Sequence, residues 1–238
     1  MKNLIKINIL TYIFIFILLA AGYFKFLCII ALIISIHEIG HIIFCLYFKR
    51  KITDIYILPT GGLLKIDSYL STPILEDLLI AFAGIIFQII LGYLTLLFDL
   101  PIYSDFYYYN RLIIIFNLLP IYPLDGFKIT RLIFQIFLPY KKSLKLTNVI
   151  SIFFIIFLIY KVFYFNILVL LFIIIMQYKE ISMHKYIINR FYLERMNNTF
   201  IFKKRAYINK VQDMYKNKIN ILNGKKENEF IKQYFYNH

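Results

Sequence analysis

The chain has 238 residues, with 27 Lys and Arg against 13 Asp and Glu, so its formal net charge is +14. Hydrophobic residues make up 61% of it and charged residues 17%, compared with about 45–50% and about 25% in soluble domains. This composition excludes a disordered chain, which needs low hydrophobicity, and the two cysteines exclude a disulfide scaffold. A chain of this size has too little interior to bury so many apolar side chains, so the composition indicates a membrane protein.

Several apolar runs approach the ~20 residues that a helix needs to cross a bilayer. They are Ile7–Phe24, Phe26–Phe48, Leu78–Leu100, a run that begins near Phe106 and continues past Pro120, and Leu146–Tyr178. The last run is interrupted by Lys161 and Asn166 and could form one long helix or two short ones. A cleaved signal peptide is an alternative for the first run, but its length favours a retained span.

The distribution of basic residues favours two helices in the last run. Lys49–Lys51 and the cluster at 141–145 should both be cytosolic, whereas the loop at 99–110 has two acids and no Lys or Arg. The basic residues after Tyr178 share the side of Lys141 only if the number of crossings between them is even. Two spans that turn near Lys161–Asn166 satisfy this condition. The sequence therefore predicts an all-α, multi-pass protein with about six transmembrane helices and both termini in the cytosol.

The final 62 residues, 177–238, carry 13 basic and 5 acidic groups, more than half of the net charge. Such a segment could bind nucleic acid or anionic lipid, but beside membrane spans it fits a cytosolic tail that obeys the positive-inside rule. We therefore expect no direct nucleic-acid contact. The tail is predicted to be helical, with an amphipathic helix on the inner leaflet or an ordinary solvated helix as the alternative. The residues at helical spacing are Ile181, His184, Ile188, Tyr192 and Arg195.

The segment between the second and third runs has the pattern of a β-hairpin. Residues 52–57 are rich in β-branched and aromatic side chains, Pro59–Gly62 has the composition of a turn, and Leu63–Ile66 resumes the strand pattern. The sequence predicts a small hairpin at the cytosolic face of the membrane, between spans two and three.

The second run contains an HExxH pattern, formed by His37, Glu38 and His41. Residues i and i+4 of a helix share one face, so both imidazoles can reach one metal ion while Glu38 contacts a water molecule beside it. His and Glu inside an apolar span are costly and indicate function. The alternative is a pair of histidines that only forms hydrogen bonds between helices.

A catalytic zinc site usually has a third protein ligand. The candidates are Glu76, Asp77, Asp125 and Glu180, and three of these lie outside the apolar runs. Asp125 lies in the fourth run, where two prolines and Gly126 should break the helix. At 1.5 Å per residue, residue 39 lies about 20 Å from the outer end of its span. If the fourth span enters the membrane near residue 110, Asp125 lies about 22 Å inward by the same rise, so the two residues have similar depths in the membrane. The alternative role for Asp125 is helix capping.

The motifs HEIGH (residues 37–41) and NLLPIYPLDG (residues 117–126) resemble those of the site-2 protease family of intramembrane zinc metalloproteases, in particular its stage IV sporulation protein FB branch. The likeness extends over about residues 1–176 and includes Leu58–Gly62 and Glu76–Gly84. The resemblance implies an intramembrane metalloprotease domain over 1–176, followed by the basic tail. It implies hydrolysis of a peptide bond near the membrane in a membrane-tethered regulatory protein.

By the same resemblance, Zn²⁺ is bound by His37, His41 and Asp125, and Glu38 activates water. Asn117 matches the asparagine associated with substrate positioning. One departure concerns the family pattern Gly-Pro-x-x-Asn, which reads Gly84-Ile-Ile-Phe-Gln88 here. Gln88 could take the place of the asparagine amide.

The sporulation branch cleaves an inhibitory pro-sequence from a membrane-tethered sigma factor and is held inactive by partner membrane proteins. The resemblance therefore implies a pro-sigma factor as the protein substrate, inhibitory membrane partners and a lipid bilayer. The location would be the cell membrane or the mother-cell-derived membrane of a spore-forming bacterium.

Two other functions are considered. A housekeeping site-2 protease would act on anti-sigma factors or signal-peptide remnants, but no PDZ-like insertion is visible between the spans. A non-catalytic metal-binding membrane protein or transporter would use the same ligands, but it would have no need of a general base such as Glu38.

Overall fold

The computed structural model of the chain describes residues 5–7, 9–58, 61–67, 70–98, 103–161, 167–198 and 200–236. Most of these residues are helical, and the remainder form short strands and turns. The helices are α1 (Ile9–Ala20), α2 (Phe24–Tyr47), α3 (Ile74–Leu97), α4 (Tyr103–Leu118), α5 (Asp125–Phe137), α6 (Tyr140–Lys161), α7 (Ile167–Ser182), α8 (His184–Asn197) and α9 (Glu227–Tyr236). The strands are β1 (Ile5–Ile7), β2 (Lys51–Leu58), β3 (Gly61–Asp67), β4 (Arg205–Ile208) and β5 (Ile219–Leu222).

Among the described residues, three helices are long and apolar enough to cross a membrane. They are α2, α3 and residues Tyr140–Tyr160 of α6. In the run from Leu146 to Tyr178, α6 ends at Lys161 and α7 begins at Ile167, while the turn predicted between them falls on residues 162–166, which lie outside the described residues. The total of six spans and the location of the termini stay predictions.

The chain divides into two compact units, and the division falls inside α3. The first unit comprises residues 1–68 and 79–119, and the second comprises residues 69–78 and 120–238. This division differs from the predicted one between residues 176 and 177, which followed composition and charge rather than packing.

In the first unit, α2 packs against α4 through an apolar core of Ile29, Ile33 and Phe106. It also approaches α3 closely, because a Cβ at Gly40 would lie only 2.7 Å from the backbone oxygen of Ala83. Small residues allow this close approach between helices in a membrane, where apolar surfaces alone do not drive helices together.

The predicted hairpin is confirmed. β2 and β3 pair antiparallel, with Ile52 opposite Ile66 and Leu58 opposite Gly61, and the turn residues Pro59 and Thr60 lie outside the described residues. β1 pairs parallel with β2, giving a sheet with the order β1-β2-β3. The sequence does not predict β1, and its last residue, Ile7, is where the first predicted span begins.

In the second unit, α5 packs on α6, α6 on α7, and α8 on α6, α7 and α9. The segment after α7 is a folded module rather than a purely helical tail, since β4 and β5 form a parallel pair between α8 and α9. Its apolar core includes Phe191, Met214 and Ile231, together with Tyr140 and Leu144 from the start of α6. The segment predicted to be helical thus contains the helices α8 and α9 together with two short strands.

Arg195 is buried inside this module. Its Nη2 donates to the backbone oxygens of Tyr215 and Lys216, each over 2.9 Å, and Nη1 lies 3.4 Å from a carboxylate oxygen of Glu227. Burial lowers the pKa of Arg195 to about 10, which leaves the side chain charged at neutral pH. Ile188 and Tyr192 on the same face are also buried, so this face packs against protein. The prediction that it lies on the inner leaflet was therefore wrong.

Candidate metal centre

The two histidines of the HExxH pattern lie side by side on α2, one helical turn apart. Their rings are edge to face with centroids 4.7 Å apart, and Nε2 of His37 lies 3.0 Å from Nε2 of His41. Both side chains are buried, at 4% and 5% exposure. The helical spacing therefore brings one nitrogen of each ring to the same point.

Helix α3 determines which ring nitrogens meet there. Nδ1 of His41 lies 2.7 Å from the backbone oxygen of Ile80, and Nδ1 of His37 lies 2.9 Å from Oε1 of Gln88. A carbonyl oxygen only accepts hydrogen bonds, so each Nδ1 carries the proton, and in a neutral ring the Nε2 atom then presents a lone pair. This is the usual arrangement of metal-binding histidines, whose other ring nitrogen donates to a carbonyl or carboxylate.

The residues fit a metal ion. The two Nε2 atoms are 3.0 Å apart, and their lone pairs repel each other unless a cation lies between them. Two nitrogen ligands at 2.0–2.1 Å from a tetrahedral zinc ion would be about 3.3 Å apart, close to the observed separation. Hydrogen bonding to α3, which was the alternative role of these histidines, is therefore compatible with a metal site.

Gly84 on α3 makes room for both rings. A Cβ at this position would lie 2.5 Å from Cε1 of His37 and 2.6 Å from Nε2 of His41. Real Cβ atoms essentially never make such close contacts. Only glycine therefore lets the imidazoles lie directly on the backbone of α3, between the acceptors at residues 80 and 88.

Glu38 lies next to the hairpin. The backbone N–H of Gly62 in β3 donates to Oε1 of Glu38 over 3.1 Å, and a Cβ at Gly62 would be 2.5 Å from both carboxylate oxygens. In the first unit the structure thus assembles a carboxylate beside a pair of imidazoles, which is the set of groups that metal-assisted hydrolysis requires.

Asp125 and Asn117 are placed at the interruption of the fourth run. α4 ends at Leu118 and α5 begins at Asp125, which is 5% exposed. The residue at the N-cap of α5 is Leu124, so Asp125 is the first helical residue and not the cap. Asn117 is buried in the last turn of α4. The predicted break is confirmed, but the depth comparison for Asp125 assumed a continuous helix and does not apply over residues 119–124.

Two of the other acidic candidates, Asp77 and Glu180, form ion pairs in the second unit. Asp77 lies 2.6 Å from Nζ of Lys216, and Glu180 pairs with Arg131. Asp125 itself has Nζ of Lys128 at 3.3 Å, one turn along α5.

The chain was compared with known proteins. Peptidase family M50 matches residues 25–100, the range that contains the HExxH helix, the hairpin and α3. The Stage IV sporulation protein FB of Bacillus subtilis is 30% identical over 189 residues, which are 74% of this chain and 66% of that protein. The chain is therefore similar to members of peptidase family M50.

Two further comparisons match proteins of an archaeon. A zinc metalloprotease of Methanocaldococcus jannaschii is 31% identical over 122 residues, which are 48% of this chain and 35% of that protein. The structure of the Site-2 Protease from the same archaeon matches with a TM-score of 0.61 at 24% identity, over 74% of this chain and 89% of that one. The chain thus covers a little under two thirds of the sporulation protein and about a third of the archaeal zinc metalloprotease. The resemblance to site-2 proteases is confirmed, and the family match supports a metalloprotease.

Sequence reasoning did not identify the groups that hold the histidines. Gln88 was noticed only as a departure from the site-2 protease pattern, and Gly62 and Gly84 only as parts of matching motifs. The Ile80 carbonyl carried no signal, because every residue has a backbone oxygen and the local sequence does not show which one a distant histidine contacts.

Proposed function

We propose that this chain is an intramembrane zinc endopeptidase that cleaves a membrane-tethered regulatory pro-protein. The observation that carries the proposal is the pair of Nε2 atoms 3.0 Å apart, turned together by hydrogen bonds from both Nδ1 atoms to α3. A histidine pair that served packing alone would not need both lone pairs at one point.

We further propose that Asp125 supplies the third ligand. It is a buried carboxylate at the start of α5, in the LDG motif shared with site-2 proteases, and a third protein ligand is usual at a catalytic zinc. The remaining position would be left for water and substrate. Zinc, when bound, polarises both the water and the substrate carbonyl.

Glu38 is the general base. Its carboxylate takes the proton of the attacking water and then passes it to the leaving amine. The Gly62 N–H holds Oε1 on the side of the hairpin. This leaves Oε2 as the oxygen that can receive the proton.

The hairpin would hold the substrate. β3 is an outer strand of the β1-β2-β3 sheet, and the Gly62 N–H points away from β2 because it donates to Glu38. At Gly62, the outer edge of β3 therefore faces the helix that carries Glu38. A substrate strand added along this edge would bring an unwound peptide bond to Glu38, with Asn117 as a further positioning group.

The biological setting is part of the same proposal. One relative is named a sporulation protein, which supports a membrane-tethered pro-sigma factor as the substrate and inhibitory membrane proteins as partners. The three apolar helices and the basic C-terminal segment support a multi-pass protein in a membrane of a spore-forming bacterium, with both termini cytosolic.

The test combines a cleavage assay with metal analysis. Glu38→Gln, co-expressed with a membrane-tethered substrate, should lose about 10²–10⁴-fold in cleavage while the purified protein keeps about one zinc per chain. Asp125→Ala should lose most of its zinc. Glu76→Gln serves as the matched control, because it changes a carboxylate of α3 outside the site, and it should cleave normally.

Three results would contradict parts or all of the proposal. Near-normal cleavage by Glu38→Gln would remove the general-base role. Full zinc content in Asp125→Ala would remove Asp125 from the ligands, and a wild-type protein that binds no zinc would overturn the function as a whole.

A further inference from the structure

Gln88 is the buried polar side chain in contact with His37. It lies on α3, one turn after Gly84, and is fully buried, at 0% exposure. Its Oε1 accepts the hydrogen bond of His37 Nδ1 over 2.9 Å. The contact joins two helices at residues 51 positions apart in the chain, so α3 and not α2 determines how the His37 ring is oriented.

The position of Gln88 is itself fixed from α4. Nδ2 of Asn110, a buried residue, donates to the backbone oxygen of Gln88 over 3.0 Å. A Cβ at Gly92 would lie 3.1 Å from the same Nδ2 atom, so Asn110 is packed closely onto the backbone of α3. This second contact keeps the turn of α3 that carries Gln88 at a constant distance from α4.

A glutamine at this position is costly for stability. Burying an amide group is unfavourable unless its hydrogen bonds are made, and Nε2 of Gln88 has no hydrogen-bond partner among the described residues. An apolar side chain of the same size, such as Met, would fill the space without that cost. The one hydrogen bond that the Gln88 side chain makes in the described part of the chain is the one with His37.

We propose that Gln88 is a positioning residue of the metal site, which sets the tautomer and ring orientation of His37. With the acceptor present, the ring proton stays on Nδ1 and Nε2 keeps its lone pair for the metal. Without the Gln88 acceptor, the His37 ring can rotate or carry its proton on Nε2. A protonated Nε2 has no lone pair with which to bind a metal. This proposal rests on the proposed function, because it assumes that His37 is a ligand.

The test measures zinc affinity of the purified full-length chain by competition with a chelator. Gln88→Met removes the acceptor at similar volume, and zinc affinity should fall about 10–100-fold, as is typical when such a partner of a ligand is lost. Gln88→Glu keeps an oxygen acceptor and should restore an affinity close to that of the wild type. The absorption spectrum of the Co²⁺-substituted protein should change in Gln88→Met and not in Gln88→Glu.

Gln135→Met is the matched control. Gln135 is another buried glutamine, at 2% exposure, and its Oε1 has no hydrogen-bond partner in the described residues. The same substitution there removes a buried amide without removing an acceptor from a histidine. Its zinc affinity and Co²⁺ spectrum should match those of the wild type.

The outcomes separate the two proposals. Wild-type affinity in Gln88→Met would overturn the role of Gln88 while leaving the zinc site intact. Equal losses in Gln88→Met and Gln88→Glu would also overturn it, because packing and not the acceptor would then matter. If Gln88→Met does not fold, wild-type affinity in Gln88→Asp, whose shorter side chain withdraws the acceptor from His37, would overturn it. Absence of zinc from the wild-type protein would instead contradict the proposed function.

Discussion

The carboxylate of Glu38 lies directly against the backbone of Gly62. The N–H of Gly62 donates to Oε1 of Glu38 over 3.1 Å, and a Cβ on Gly62 would lie 2.5 Å from each carboxylate oxygen. The hairpin and the HExxH helix are therefore in contact at the residue that we propose as the general base. The orientation of that base depends on a residue with no side chain, 24 positions away.

Gly62→Ala should impair cleavage without removing the metal. The added methyl group overlaps the Glu38 carboxylate, so this side chain must turn away from its position beside the water. We expect a loss of cleavage that approaches the about 10²–10⁴-fold of a missing general base, with wild-type zinc content. Cleavage in the membrane-tethered substrate assay and zinc analysis of the same preparation test this. Unchanged cleavage would show that Glu38 does not need its contact with the hairpin.

Gly84→Ala should lose the metal as well as cleavage. Its methyl group would overlap both imidazoles, at 2.5 Å from Cε1 of His37 and 2.6 Å from Nε2 of His41. The two Nε2 atoms can then no longer meet at one point, so zinc and cleavage should be lost together. Gly62→Ala is the natural control, since it adds the same methyl group at a glycine of the same site. A zinc-replete Gly84→Ala protein would contradict the proposed geometry.

Acidification should destabilise the start of α8 through His184. Burial lowers the pKa of His184 below its usual value of 6.5, and the nearby cations Arg131 and Lys141 lower it further, while Glu180 opposes them. The folded state therefore binds this proton less readily than the unfolded state. Stability falls as the pH drops below about 6.5 and levels off below the folded-state pKa.

Hydrogen exchange of the full-length protein at pH 7 and pH 5 checks this expectation. Protection of residues 184–197 should decrease more in the wild type than in His184→Gln, which has no proton to bind at this position. Other acid-sensitive groups act equally on both proteins, so the difference isolates His184. An equal decrease in the two proteins would disprove the prediction.

The predicted topology can be tested at Ile201, which is 98% exposed. In a Cys28→Ser background, which removes the exposed native cysteine, Ile201→Cys should resist a membrane-impermeant maleimide added to intact cells. It should react after permeabilisation, because the predicted even number of spans would place the C-terminal segment in the cytosol. Rapid labelling of intact cells would instead indicate an odd number of crossings.

Local patterns in the sequence were sufficient for several features of this protein. The HExxH spacing predicted two imidazoles on one helical face, because the period of an α-helix does not depend on its surroundings. The hairpin and the break before Asp125 followed from turn residues and polar interruptions in apolar runs. Each of these signals is contained within a few consecutive residues.

The tertiary structure alone decided which groups surround the histidines. The Ile80 carbonyl and the Gln88 amide are 39 and 51 residues from the rings that they hold, and β1 pairs with a strand about 50 residues away. In the tail, the spacing that includes Ile188 and Tyr192 correctly predicted a helix. The apolar face of that helix packs against protein and not against lipid. Lipid tails and protein interiors are similarly apolar, so hydrophobic periodicity shows that a face is buried without showing what covers it.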